Sequence, residues 1–173
     1  MNTTLKTSFA AFTTSGILCM CLTASAAPLP KEGSLDFNFC LAGRTNTMAV
    51  SDKVVAGNFE LTASVISNPP GGPFDGQGSR CMGTWYVIDG SYFDSGYCVS
   101  TDADGDRYLM DFKTGPLAAG QPAAGTWTAV GGSGKYQGMV AKAQYKANAQ
   151  VAPAVEGGFQ NCNRNTGTYK LKQ

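Results

Sequence analysis

The sequence contains no histidine anywhere in its 173 residues. Histidine is the usual general base near neutral pH and the usual partner of a nucleophilic serine or cysteine. Its absence therefore excludes every catalytic triad that depends on an imidazole. Metal sites that need a histidine ligand are excluded for the same reason. Any chemistry performed by this chain must use other side chains.

Charged residues are also scarce, with 13 basic and 12 acidic side chains and a formal net charge of +1. The basic residues are scattered along the chain, whereas nucleic-acid and anionic-membrane partners are recognised by basic clusters. We therefore expect no nucleic-acid partner. The glycine-rich segment Gly131–Lys135 lacks the spacing of a phosphate-binding loop and is followed by Tyr136 and a strand-like run. We expect no cofactor.

Long apolar runs are missing as well. The strongest, Gly16–Leu22, is far shorter than the roughly 20 residues that a membrane-spanning helix needs. Lys6 precedes this run, and the small residues Ala24-Ser25-Ala26 follow it. This order is typical of a secretory signal peptide. The sequence predicts a leader over residues 1–26, cleaved after Ala26 or one residue later, and a periplasmic or secreted domain over residues 27–173. We expect no integral membrane segment after processing.

Cysteine numbers agree with export. Two of the six cysteines belong to the leader, and the mature chain keeps Cys40, Cys81, Cys98 and Cys162. An even number in an exported chain predicts two disulfides, with three possible connectivities. We favour Cys81–Cys98, because a short connection joins their runs, and Cys40–Cys162, because they lie near the two ends of the domain. A structural zinc site would need closely spaced cysteine pairs, and the sequence has none.

The dominant pattern in the mature chain is an alternation of apolar and polar residues. Leu35 to Leu41, Phe59 to Val65 and Ala141 to Val151 each place apolar residues at every second position. This period is typical of a β-strand with one face in the core. In a helix, the alanine-rich run would distribute its apolar groups around the whole circumference. We therefore predict an all-β domain.

Turn residues separate the strand-like runs. Asn68–Pro73 and Gly115–Ala124 contain prolines and glycines and are predicted to be loops. Asp89-Gly90 and Asp104-Gly105 predict hairpins, and Gly131–Gly134 predicts another turn. The pattern gives about seven to nine short strands without helical intervals. We predict a single antiparallel β-barrel of about eight strands rather than a sandwich, because closure protects the strand edges.

Few residues are selected as functional candidates. Most aromatic side chains are expected to pack in the core. The candidates for contact with a ligand are Trp85, Tyr97, Tyr108, Trp127 and Tyr145. Carboxylates could act as a general acid or base, but nothing in their spacing selects two of them. The candidates are Glu60, Asp94, Asp111 and Glu156.

The acidic segment Asp102-Ala103-Asp104-Gly105-Asp106 resembles the start of a calcium loop, with Asp102, Asp104 and Asp106 as candidate ligands. An EF-hand loop needs glycine at position six and glutamate at position twelve, and here those positions hold Arg107 and Lys113. We therefore expect a tight turn in which the carboxylates accept hydrogen bonds from nearby amides, and no metal.

The segment Gly125–Gly138, which reads GTWTAVGGSGKYQG, is the most distinctive in the chain. It resembles the strand–turn–strand signature of the allene oxide cyclase/dirigent-like barrel superfamily. Residues Cys98–Asp106 are similar to a D-x-D-G-D hairpin of small exported bacterial members of unknown function. The resemblance implies an eight-stranded antiparallel barrel with a central cavity. Members of the superfamily include cyclases and proteins that orient radicals, but no catalytic residue can be matched to a position in this chain.

Three functions are compatible with these observations. The first is an exported, non-catalytic barrel that binds a small, largely apolar ligand. The second is a cyclase or isomerase that acts by positioning its substrate. The third is a structural or interaction protein whose barrel is filled by side chains. The volume of the barrel interior distinguishes the third from the first two, because eight strands enclose either a packed core or room for one small ligand.

Overall fold

The structure is a computed structural model that describes residues 29–118 and 121–172. The predicted signal peptide, residues 1–26, lies outside the described residues. Eight β-strands and one short 3₁₀ helix (Gly134–Tyr136) make up the regular structure of the described residues. The strands are β1 (Glu32–Ala49), β2 (Val54–Ser67), β3 (Gly78–Ile88), β4 (Ser91–Thr101), β5 (Arg107–Ala118), β6 (Ala124–Gly132), β7 (Val140–Val151) and β8 (Gly158–Lys170).

Each strand pairs with the next in the sequence, and β1 pairs with β8, so the sheet closes into an antiparallel barrel. The prediction of an all-β barrel of about eight strands is confirmed. The alternation predicted from the sequence corresponds to the two faces of the barrel wall. Phe37 and Phe39 of β1 and Leu61 and Val65 of β2 point inward and are buried, whereas their neighbours in sequence are more exposed.

Both predicted disulfides are present. Cys40 and Cys162 are direct partners in the β1–β8 pair, so this bridge joins the first and last strands across the seam of the barrel. Cys81 and Cys98 are direct partners in the β3–β4 hairpin. Since β8 is far from β1 in the sequence, the seam is the one place where closure of the sheet depends on a contact between the ends of the domain. The bridge lies at that place.

The two ends of the barrel differ. At one end, the predicted proline-rich loop between β2 and β3 folds inward and buries Phe74, which is 4% exposed. The ring of Phe74 lies 5.0 Å from that of Tyr169 and 5.6 Å from that of Tyr108, measured between ring centroids, and both contacts are edge-to-face. Such aromatic pairs stabilise a core beyond the area they bury. This end of the barrel is therefore closed by a plug, which we call the Phe74 plug (residues 68–77).

The prediction of a second long loop over residues 115–124 is wrong at its start. Strand β5 continues through Gly115 and Pro116 to Ala118. The ladder between β4 and β5 shifts register between Tyr92 and Asp94, and Gly115 has a φ of +101° at this irregularity. Proline has no N–H to donate, so it is accepted in a strand where a bulge interrupts the ladder.

The predicted hairpins at Asp89-Gly90 and Asp104-Gly105 are present as the β3–β4 and β4–β5 turns. The predicted turn after β6 includes the 3₁₀ helix, whose Tyr136 is buried at the closed end. None of the helical structure in the described residues is long and apolar enough to cross a membrane.

Candidate functional site

The end of the barrel opposite the Phe74 plug contains a cavity of about 780 Å³. The walls are mainly aromatic and aliphatic, and they belong to the inward faces of the strands. Apolar lining residues include Phe39, Leu41, Phe59, Leu61, Trp85, Val87, Phe112, Leu117, Trp127 and Phe159. Residues of the β3–β4 turn and of the segment before β6, among them Gly90 and Pro122, line the entrance.

Sulfur atoms form part of the cavity wall on its deeper side. Cys81 and Cys98 point inward, are 1% and 5% exposed, and line the cavity together with Met110. Met110 is the direct partner of Cys98 in the β4–β5 pair. Trp127 and Asn165 also line the cavity, and the indole N–H of Trp127 donates a hydrogen bond to Asn165 Oδ1 at 2.9 Å. The ring of Trp127 lies 6.3 Å from that of Phe37, which in turn lies 6.5 Å from that of Phe74, so Phe37 connects the cavity wall to the plug.

A polar cluster stands on one wall. Its members are Tyr92 and Asp94 on β4, Thr114 on β5 and Tyr145 on β7. The Tyr92 hydroxyl donates a hydrogen bond to Asp94 Oδ2 at 2.8 Å. The hydroxyls of Thr114 and Tyr145 are hydrogen-bonded to each other. All four residues line the cavity, and Asp94 is the one ionisable carboxyl among the described lining residues.

The sheet register explains why residues so far apart in sequence meet here. Direct cross-strand partners lie about 4.5–5.5 Å apart between Cβ atoms, so a row of successive partners forms a continuous stripe. One such row runs from β2 to β8 through Gly57, Trp85, Asp94, Thr114, Gly125, Tyr145 and Asn165. The candidate site is the part of this row that lines the cavity.

At Gly125, strand β6 has no side chain, and the polar cluster crosses the strand at this position. Gly125 of β6 pairs with Thr114 on one side and with Tyr145 on the other. A Cβ atom at Gly125 would lie 2.5 Å from the Tyr145 hydroxyl oxygen. The ring of Tyr145 therefore lies over Gly125 and reaches Thr114 on the next strand. A side chain at this position would occupy the same space.

The surroundings change the acidity of the cluster. Burial raises the pKa of Asp94 above its usual value, and the neighbouring Thr114 and Tyr92 hydroxyls offset this only in part. Burial also raises the pKa of Tyr92 and Tyr145, and the nearby Asp94 carboxylate raises both further. Both phenols are therefore neutral at physiological pH and can donate hydrogen bonds.

Several buried polar atoms that line the cavity have no hydrogen-bond partner among the described residues. The acceptors are Asp94 Oδ1, Asn161 Oδ1 and Asn163 Oδ1, and the donor is Trp85 Nε1. Buried polar groups are paired in the great majority of protein structures, because an unmade hydrogen bond costs about 1–3 kcal/mol. These atoms have almost no accessible surface, so a bound molecule reaches them only after a small movement of the neighbouring side chains.

Comparison with known proteins supports the fold. No protein-family model and no curated protein matches the sequence. Among solved structures, the chain is similar to the pterocarpan synthase dirigent protein PsPTS1, with a TM-score of 0.52 and 10% identity over 83% of this chain and 97% of that chain. The fold is a dirigent-like barrel. The pterocarpan synthase dirigent protein GePTS1 has a TM-score of 0.47 and 11% identity over 82% of this chain and 93% of that chain.

The dirigent-like barrel brings together three of the five aromatic residues selected from the sequence. Trp85, Trp127 and Tyr145 line the cavity. Tyr108 is buried beside the Phe74 plug, where its hydroxyl donates a hydrogen bond to Gln77 Oε1 at 2.9 Å. Tyr97 lies on the outer face of the barrel and is 57% exposed. Tyr108 and Tyr97 are therefore not part of the cavity wall.

Of the four candidate carboxylates, only Asp94 faces the cavity of the dirigent-like barrel. Glu60 forms an exposed ion pair with Arg80, and Asp111 and Glu156 are exposed. A signal for Asp94 was present in the sequence. Counting back from Cys98 in steps of two gives Gly96, Asp94 and Tyr92, so all of these residues share the inward face of β4. Sequence reasoning missed Tyr92, Thr114, Asn161 and Asn163.

The acidic turn of the dirigent-like barrel binds a lysine. Asp102 Oδ1 accepts hydrogen bonds from the backbone N–H groups of Asp104 and Asp106, at 2.9 and 3.1 Å. Lys135 Nζ lies 2.9 Å from Asp102 Oδ2 and 2.6 Å from Asp104 Oδ2. Within residues 29–118 and 121–172, no group of three or more Cys, Asp or Glu side chains is arranged to hold a metal ion.

Proposed function

We propose that this chain is an exported binding protein whose barrel holds one small, largely apolar molecule at its open end. The observation that carries the proposal is the cavity of about 780 Å³ with aromatic and aliphatic walls. Sites for small molecules are typically clefts of about 300–1,000 Å³ that are mostly apolar and contain a few fixed polar groups. The Asp94 cluster and the amides of Asn161 and Asn163 supply such groups.

Export is part of this proposal. The leader predicted over residues 1–26 directs the chain out of the cytosol, and the two disulfides agree with an oxidising compartment. The nearly balanced charge favours a small-molecule ligand over a nucleic acid.

The cavity also distinguishes this proposal from the alternative of a packed barrel. In a packed barrel, inward side chains fill the space between the strands. In this barrel, inward side chains fill the interior beside the Phe74 plug, whereas the opposite end contains the open cavity. A barrel that acted only through its outer surface would gain nothing from such a space, because an unfilled interior loses packing contacts.

A second candidate function is a cyclase or isomerase that positions a reactive substrate. The observation that favours it is a single carboxyl of raised pKa in an apolar cavity, which is the environment of a general acid. The similar barrel PsPTS1 is itself named a pterocarpan synthase. NMR spectroscopy of the small molecule before and after incubation with the protein distinguishes the two functions, because a binding protein returns its ligand unchanged and an enzyme releases an isomer of the same mass.

A cavity-filling variant tests the binding function. Ala147 lines the cavity, and the preceding residue Lys146 is exposed on the outer face. We expect the uncharged fluorescent probe N-phenyl-1-naphthylamine to bind the wild-type protein saturably. Ala147→Trp should weaken this binding by at least about tenfold, since overpacking a filled site costs about 1–3 kcal/mol. Lys146→Trp adds the same side chain to the other face of β7 and should bind as the wild type does.

Native mass spectrometry of the purified protein should also detect a co-purified small molecule. The proposal is wrong if the folded protein neither carries such a molecule nor binds the probe. It is also wrong if Ala147→Trp and Lys146→Trp bind the probe equally well.

A further inference from the structure

The polar atoms of the cavity are unequally divided between acceptors and donors. Three buried acceptors without a partner line it, on Asp94, Asn161 and Asn163, against one buried N–H, on Trp85. Neither lysine nor arginine occurs among the described residues of the lining. The unpartnered polar atoms of this wall are thus mostly acceptors, which favours a ligand that carries hydrogen-bond donors.

The charge of the cavity lining favours a ligand with a positively charged group. Asp94 is the one ionisable carboxyl among the described lining residues, and no basic side chain in that lining balances it. Its Oδ2 atom accepts a hydrogen bond from Tyr92, and its Oδ1 atom has no partner. A carboxylate removed from water is costly unless it is paired with a cation. A cationic group on the ligand would supply that pairing.

The aromatic walls also suit a cation. The ring of Trp85 stacks on that of Tyr92, with centroids 6.4 Å apart, immediately beside Asp94. Elsewhere in the lining, the ring of Phe59 lies 6.1 Å from that of Phe112 and 6.3 Å from that of Phe159. Aromatic faces attract ammonium groups, most strongly where water is excluded, and they also accommodate an apolar body.

We infer that the ligand is an organic cation, in which a protonated amine on an apolar body binds beside Asp94 and pairs with its carboxylate. This inference rests on the proposed binding function and names the class of ligand. The amine supplies the positive charge that the described lining lacks, and the apolar body occupies the space between the aromatic rings. Neutral alcohols supply one donor without the charge, and carboxylates supply the wrong charge.

Binding of an amine is linked to the proton on Asp94. The side chains that face Asp94 are Trp85 on β3, Tyr92 on β4, Thr114 on β5 and Tyr145 on β7, and both phenols stay neutral because their pKa values are raised. In the empty cavity, burial raises the pKa of Asp94. A bound cation favours the carboxylate, so amine affinity should increase as the pH rises through the Asp94 pKa. Affinity for a neutral ligand should not change.

A matched series of probes tests the inference. 4-Phenylbutylamine, 4-phenylbutanol and 4-phenylbutanoate share one apolar body and differ in the charge of the head group. Each is used to displace N-phenyl-1-naphthylamine from the full mature protein. A charge-assisted hydrogen bond contributes about 1.5–3 kcal/mol, so the amine should displace the probe at a concentration at least about tenfold lower than the alcohol does.

Asp94→Asn keeps the shape of the side chain and removes its charge. This variant should lose the preference for the amine over the alcohol, and far-UV circular dichroism checks that it is folded. Asp111→Asn removes an exposed carboxylate from the outer face of β5 and should behave as the wild type does. If Asp94→Asn fails to fold, the pH dependence of amine binding to the wild-type protein replaces it as the test.

The outcomes separate this inference from the proposed function. Equal displacement by the amine and the alcohol, or preferential displacement by the carboxylate, overturns the inference and leaves a binding barrel of another specificity. An amine preference that persists in Asp94→Asn overturns it too. If the folded protein neither binds the naphthylamine probe nor carries a co-purified small molecule, the proposed function is wrong and the inference fails with it.

Discussion

Gly125 occupies the point in β6 where the ring of Tyr145 crosses the strand. A Cβ atom at this position would contact the carbonyl oxygen of Lys113 in the backbone of β5 as well as the Tyr145 hydroxyl. The backbone cannot move away without breaking the β5–β6 ladder. The absence of a side chain here therefore permits both the strand pairing and the hydrogen bond between Tyr145 and Thr114.

We expect Gly125→Ala to lower the free energy of unfolding by about 1–3 kcal/mol, the usual cost of overpacking. It should also displace Tyr145 from Thr114. Gly131 is a matched control, since it lies in the same strand and a Cβ there would have no atom within 4 Å. Urea unfolding of the two variants checks the prediction. A Gly125→Ala protein as stable as Gly131→Ala would contradict the close packing described for Tyr145.

Asp94 shows which parts of the candidate site the sequence alone could predict. Strand parity places Asp94, Tyr92 and Cys98 on one face, and this count needs only the sequence. The same count cannot say which end of the strand faces an open cavity and which faces a packed plug. It also cannot bring Thr114 and Tyr145 to Asp94, because that contact depends on the register of three intervening strand pairs and on Gly125.

At the scale of elements, the Phe74 plug is a short loop that determines which end of the barrel is closed. Its conformation is fixed by one carboxylate. Asp75 Oδ1 accepts the N–H of Ser67 and Oδ2 accepts the N–H of Gly71, both at 2.7 Å. Phe74 itself has a φ of +67°, a backbone conformation that a residue with a side chain adopts only when its surroundings hold it there.

Asp75→Asn should lower the free energy of unfolding by about 1 kcal/mol, because one of two hydrogen bonds to an exposed carboxylate is lost and solvent screens the other. The backbone N–H groups of Ser67 and Gly71 lower the pKa of Asp75 in the folded protein. Its contribution to stability is therefore present above the usual aspartate pKa and is lost as the pH falls through the lowered value.

The difference in stability between the wild-type protein and Asp75→Asn should accordingly shrink in acid. Thermal unfolding at a series of pH values measures it. Asp52→Asn, in the exposed turn after β1, is the control and should have no effect at any pH. A difference that stays constant through the acid range would show that the Asp75 carboxylate does not hold the plug.

The strands themselves were largely predictable, because one face of each is buried and a period of two follows directly from that burial. The errors have a common cause. Gly115 and Pro116 belong to β5 because they form a bulge in that strand, opposite Phe93 of β4. This bulge depends on pairing with the partner strand and not on local composition. The inward fold of residues 68–77 depends on a pocket formed by Phe37, Tyr108 and Tyr169 at the far ends of three strands.

At the scale of the whole molecule, the barrel separates stability from binding. Aromatic packing is concentrated at the plugged end, and the space for a ligand is at the other. The sequence predicted closure of the sheet and its two disulfides. The cavity was expected only from the family resemblance. Residue patterns alone could not predict it, since an interior of this strand number is filled or open according to the summed volume of side chains that only the register brings together.

The two disulfides stabilise this arrangement to different degrees and should respond differently to a reductant. Cys40 and Cys162 lie on the outer face and are half-buried, whereas Cys81 and Cys98 are almost fully buried inside the barrel. We therefore expect mild reduction of the folded protein to open Cys40–Cys162 first. Alkylation of the released thiols followed by peptide mass spectrometry identifies which bridge has opened.

Loss of Cys40–Cys162 should also be the larger loss of stability, because the bridge joins residues separated by 122 positions and the other joins residues separated by 17. In the loop-closure model these bridges contribute about 5 and about 3 kcal/mol respectively. Urea unfolding of the selectively reduced protein should thus show a decrease of about 5 kcal/mol. Alkylation of Cys81 and Cys98 before the seam cysteines would contradict the order expected from burial. A seam reduction that leaves stability unchanged would mean that β1 and β8 hold the barrel closed without their covalent bridge.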